Sequence, residues 1–159
     1  MNDAHLHLVF NHLPIIIPIV GLLVMIVGLI IRSEVVKRTA YFIFILCAVC
    51  TIPAFFTGEG AEEAVEHLQR MDEKYIHIHE EMAETFALLS YLLGAISIFG
   101  LWASLKQKSF SKMITYVAIV FSLVVLFFGK QTGTTGGEVR HTEIRNDSAS
   151  GAPVQDSDD

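Results

Sequence analysis

The chain has 159 residues, of which 52% are hydrophobic and only 18% charged, with a mean hydropathy of +0.51. Soluble domains carry about 25% charged residues, so this composition points away from an ordinary soluble globule. The formal net charge of -6 argues against nucleic acid, which needs a basic patch.

The first element, Leu8 to Ile31, holds no Asp, Glu, Lys or Arg in 24 residues. A helix rises about 1.5 Å per residue, so roughly 20 residues cross a hydrocarbon core of about 30 Å. The run is too long for a signal-peptide core, has no basic flank before it and lacks a small-residue cleavage site. It is expected to be a retained first helix. Pro14 and Pro18 bend it near its start, and Gly21 and Gly28 share one side for close helix packing.

The second run, 39–56, is aromatic-rich and carries Pro53 near its end. Its Cys47 and Cys50 have redox-motif spacing but sit in an apolar helix, where small packing residues are expected. The third run is 85–105, with small residues Gly94, Ala95 and Ser97. The fourth, 113–128, is short and flanked by Lys112 and Lys130, whose stems reach an interface. All four runs should be helical, because a lipid-facing backbone must close its hydrogen bonds within the segment.

The connections are unequal. Segments 32–38 and 104–112 are short and basic, whereas 57–84 is long and acidic. A turn is expected at Gly58–Gly60, then a short helix over 61–70 lying on the membrane, with Val65 and Leu68 opposite Glu62, Glu63 and Glu66. A Gly/Thr-rich loop is expected over 129–137, and a disordered acidic tail over 146–159. The expected fold is therefore an all-α membrane protein, a four-transmembrane-helix bundle over residues 1–145. Both termini and the long acidic loop, with its short interfacial helix, lie on one side.

The two short loops hold Arg32, Lys37, Arg38, Lys106, Lys108 and Lys112, six of the eleven basic residues, and one acid, Glu34. Short basic loops stay in the cytoplasm. The expected setting is the inner membrane of a bacterium, multi-pass, with both termini outside and the lipid bilayer as the main partner.

All seven histidines fall on the outer side by this reading. His5, His7 and His67 read as solvated. His12 begins the charge-free span, where a polar group turns toward the bundle. His77 and His79 are two residues apart, so they point about 200° from each other and only one faces a shared site; His79 is nearer the span. Glu80 or Glu84 is a candidate to orient an imidazole or bind metal, and Glu59 lies at the exit of the second helix. Neither the zincin motif H-E-x-x-H nor the di-iron motif E-x-x-H is present.

Asn11-His-Leu-Pro-Ile15, Thr57-Gly-Glu-Gly-Ala61, a histidine before the third span and Gly136-Gly-Glu-Val-Arg-His141 form an ordered set. It resembles a bacterial family of small four-helix membrane proteins catalogued as a domain of unknown function, some members of which are fused to c-type cytochrome domains. The resemblance covers residues 5–145 and implies recurrent positions at His12, His79 and His141. It supplies no activity. His12, His79 and His141 are thus expected to converge at the outer mouth.

The expected function is redox: haem b held by these imidazoles for electron transfer, with a c-type cytochrome or respiratory complex as partner. One alternative is a non-haem copper, zinc or iron site drawing also on His77, Glu59 or Glu80. The other is a cofactor-free accessory subunit of a membrane complex. An enzyme is not expected, because no serine nucleophile motif, P-loop or dinucleotide fingerprint occurs. A transporter is disfavoured by the lack of charge at mid-depth.

Overall fold

The charge-free first run does not form one unbroken helix. Pro14 has no amide hydrogen and its ring collides with the carbonyl four residues back, so the helical ladder breaks before it. In the computed structural model, which describes residues 3–66, 73–141 and 144–145 (without the side chains of 3, 4, 59–66 and 140), α1 covers Asp3–Phe10 and α2 covers Leu13–Ile30. Three long helices follow: α3 Glu34–Glu66, α4 Glu73–Leu105 and α5 Ser111–Arg140. Every described element is helical, and four helices are long and apolar enough to cross a membrane.

Helices α2, α3, α4 and α5 form a closed ring of neighbours, and α1 lies along α3. Named contacts fix the register. Gly28 meets Lys37, Gly21 meets Phe44 and Gly94 meets Ala48; Gly100 meets Tyr41 and Gly129 meets Phe86. Successive helices are therefore antiparallel. One end of the bundle collects His7, residues 54–58, His79 and residues 132–136. The other collects the two basic turns.

Met25, Tyr41, Phe44, Leu93, Ala118 and Val125 are wholly buried between the helices. Large apolar side chains also face outward on every long helix, Leu23 at 59%, Phe42 at 61%, Leu88 at 60% and Val120 at 63% exposure. A belt of this kind suits lipid contact. Lipid tails are as apolar as the core, so association rests on close packing rather than on burial from water. Small residues supply it. A side chain at Gly100 would meet the Tyr41 ring at 2.5 Å, and that ring is fixed by a 3.0 Å hydrogen bond between Tyr41 Oη and Thr115 Oγ1.

Pro18 leaves the Pro14 carbonyl without its intrahelical donor. The Sγ–H of Cys47, buried on α3, donates to that carbonyl at 3.4 Å. Cys47 thus repairs the proline break as well as filling space, and both cysteines are free thiols.

Two expected loops are helix instead. α3 runs unbroken through Gly58 and Gly60 to Glu66, so no turn separates a short helix beginning at Ala61; residues 67–70, with His67, lie outside the described residues. α5 runs through the Gly/Thr-rich stretch to Arg140. Threonine hydroxyls fold back on this helix, Thr132 to Phe128 O at 3.0 Å and Thr134 to Lys130 O at 3.0 Å. Tertiary contact outweighs the low helix propensity of glycine there. α3 and α4 each hold 33 residues, about 50 Å of helix against a hydrocarbon core of about 30 Å. Their surplus turns carry the acidic residues of the histidine end. The expected tail over 146–159 also lies outside the described residues.

Gly100→Ala should destabilise the fold by about 1–3 kcal/mol, because the buried Tyr41 ring must shift. Gly133→Ala meets Ile15 at an ordinary 3.6 Å and should be neutral or gain up to about 1 kcal/mol of helix propensity. Thermal unfolding in detergent of both variants beside the wild type checks the contrast.

Candidate functional site at the histidine end

Two half-buried imidazoles from different helices stand at this end. His7 stands on α1, and α1 lies along α3. Its Nδ1–H donates to the carbonyl of Ala54 at 3.0 Å, with Thr57 Oγ1 at 3.5 Å. Thr57 itself donates to Pro53 O at 2.7 Å. Gly58 lies under the ring, and a Cβ there would sit in ordinary contact, 3.4 Å from His7 Cε1.

His79 stands on α4, half-buried against α5. Its Nδ1 lies 3.1 Å from Thr135 Oγ1, and the imidazole also bonds to the Thr132 carbonyl. Thr135 gives its own hydroxyl hydrogen to Thr132 O at 3.1 Å, so it accepts from His79. Thr132 in turn donates to Met82 O on α4 at 3.1 Å, tying the two helices together beneath the ring. A Cβ at Gly136 would sit 3.0 Å from His79 Cε1, closer than an imidazole held this firmly tolerates.

The two rings lie near enough for a charge on His7 to act on His79, and a charge on His12 acts on His7 in the same way. Both rings commit Nδ1–H to the protein. Their Nε2 lone pairs are then the available ones, the tautomer most histidine ligands of metals adopt.

Of the expected residues, His79 faces α5 at this end, and His7 rather than His12 is the histidine seated on α3. His12 caps α2, is exposed and bonds to the neighbouring Asn11 side chain. His141 is exposed at the C-cap of α5, in extended conformation, with its N–H on Gly137 O at 2.9 Å. His77 points away from the bundle and pairs with Glu80 Oε2 at 3.5 Å, so Glu80 orients His77 and not His79. Glu84 lines a separate small cavity of about 250 Å³ with Phe55, Ala87, Leu88 and Tyr91. The side chain of Glu59 lies outside the described ones. Among the described residues, no three His, Cys, Asp or Glu side chains gather closely enough for a metal ion.

The signal for His7 was present but indirect. Thr57 and Gly58 on α3 form a polar notch, and α1 brings His7 to it because the chain breaks before Pro14. The chain matches no family model, no curated protein and no solved structure.

Imidazole ¹⁵N spectra should show His7 and His79 as the Nδ1–H tautomer when neutral. Thr135→Val removes the hydroxyl acceptor and leaves the Thr132 carbonyl, so it should shift the His79 Nδ1 resonance while leaving His7 unchanged. An unaltered His79 spectrum in the variant would contradict the assignment.

Proposed function

We propose that the histidine end is a haem site and that the protein passes single electrons within a membrane. The observation that carries this reading is the pair itself: two imidazoles on separate helices, each with Nδ1–H held by the protein and Nε2 available. Two imidazoles would suffice to hold a haem iron, whereas a catalytic or structural zinc takes three or four protein ligands.

His7 and His79 would hold the iron. A bound haem supplies one-electron oxidation and reduction. The chain's own residues do the rest. The Ala54 carbonyl and the Thr135–Thr132 relay fix the ring planes and raise the basicity of Nε2. Gly58 and Gly136 keep the surroundings of the rings clear of side chains. Leu8 and Val9, on the helix that carries His7, are exposed apolar residues suited to a porphyrin face or to lipid.

The charge asymmetry supports a bacterial inner-membrane setting with the basic end in the cytoplasm, which puts the haem site near the outer face. The acidic turns at that face offer a docking surface for a basic partner. The resemblance to proteins fused to c-type cytochrome domains makes a c-type cytochrome or a respiratory complex the natural electron partner. Metal binding by His12, His77, His141 and Glu80 gains no support from their placement.

Detergent-purified protein, expressed with haem available, should show a Soret band and sharpened visible bands on reduction. His7→Ala and His79→Ala should each abolish the Soret band, while His12→Ala and His141→Ala retain it. A wild-type protein with no Soret band and no extractable haem would sink the proposal. Zinc, copper or iron bound without porphyrin, and lost in His7→Ala and His79→Ala, would transfer the site to a non-haem centre.

A further inference from the structure

The opposite end of the bundle carries a second built feature, independent of the histidines. The turn between α2 and α3 and the turn between α4 and α5 enclose an open groove of about 680 Å³. Five cations line it, Arg32, Lys37, Arg38, Lys108 and Lys112, against one acid, Glu34.

The acid is already committed. Lys37 is buried, its stem crossing α2 where Gly28 leaves room, and its ammonium pairs with Glu34 Oε1. Ser104 donates to Glu34 Oε2 at 3.1 Å and accepts from Arg38 Nε at 2.9 Å. Arg38 also bonds the Ser104 carbonyl at 2.9 Å. This lattice holds α3 to α4 and fixes the Arg38 guanidinium at the groove wall. Arg32, Lys108 and Lys112 line the groove, and among the described residues that line it no acid is left to balance them.

The backbone points the same way. Arg32 (φ 54°) and Gln107 (φ 50°) are the non-glycine residues with left-handed backbone among those described, and both line the groove. Each closes a helix by the same pattern, Ser33 N–H to Gly28 O at 3.0 Å and Lys108 N–H to Ala103 O at 2.9 Å. Glycine serves this position without strain. Retaining arginine and glutamine there keeps a cation and an amide at the rim.

We infer that this groove binds the phosphate headgroup of an anionic phospholipid from the leaflet at the basic end. Basic pockets between transmembrane helices suit such headgroups, and four cations beyond the Lys37–Glu34 pair complement a phosphodiester. Tyr116 and Ser111 add hydroxyl donors. Leu29 closes one wall, and the next residues outward, Ile30 on α2 and Met113 on α5, are 74% and 62% exposed, where acyl chains would lie. A soluble phosphate compound offers the same headgroup chemistry without those chains.

Native mass spectrometry of the full chain, titrated with phosphatidylglycerol or phosphatidylcholine, tests the inference. The protein should retain phosphatidylglycerol in clear preference. Arg32→Gly relieves the backbone strain while removing one charge, so it should hold or raise the melting temperature yet weaken phosphatidylglycerol retention about fivefold. Adding Lys108→Gln and Lys112→Gln should bring the loss to about a hundredfold. Lys130→Gln, at the far end of the bundle, should change nothing. Equal retention of the two lipids, an unaffected triple variant, or an equal loss in Lys130→Gln would overturn the inference. Displacement of the lipid by millimolar inorganic phosphate would reassign the groove to a soluble ligand and overturn the lipid assignment.

Discussion

A chain in hydrocarbon has no water to receive a stray N–H or C=O, and this constraint decides where its polar groups go. Pro14 and Pro18 open the ladder of the first span. The opening at Pro14 is used: the helix is interrupted at Asn11–His12, and α1, within the same apolar span, packs along α3. The opening at Pro18 is repaired from across the bundle by the Cys47 thiol. The first event creates the histidine site, because it delivers His7 to the Ala54 carbonyl on α3. The second locks α2 and α3 in the register that makes that delivery accurate.

The same demand shapes the other half of the site. α5 continues as helix past the hydrocarbon because its threonines return their hydroxyls to backbone carbonyls and its glycines permit close contact with α4. The His79 ring then lies on a surface made of Gly136, Thr135 and Thr132. At the far end, glycine and serine do comparable work around charge: Gly28 admits the Lys37 stem, and Ser104 joins Glu34 to Arg38. The bundle thus carries two chemically distinct ends, imidazoles at one and a cation-lined groove at the other, separated by an apolar belt.

The spans were legible because a water-soluble fold seldom holds an uncharged run long enough to cross a membrane. The grouping of histidines at one end was legible from segment order alone. His79 over His77 followed from helical geometry, since residues two apart on a helix cannot share a face. The choice of His12 over His7 rested on depth within the apolar run; the structure sets His12 at the exposed cap of α2 and His7 on α1 against α3. The glycines of 58–60 and 129–137 read as loops because local propensity favours turns there, and only the neighbouring helices reveal the close approaches at Gly129 and Gly136. Cys47 read as packing because its carbonyl partner is 33 positions away in sequence.

The central claim is that His7 and His79, each seated on a glycine of a neighbouring helix, form the functional end of the bundle. Proton–proton contacts of the imidazoles in lipid nanodiscs test it most directly. The account predicts cross-peaks from His7 Hε1 to the Gly58 Hα protons and from His79 Hε1 to the Gly136 Hα protons. Cross-peaks from His79 to His12 or His141, with none from His7 to Gly58, would contradict it.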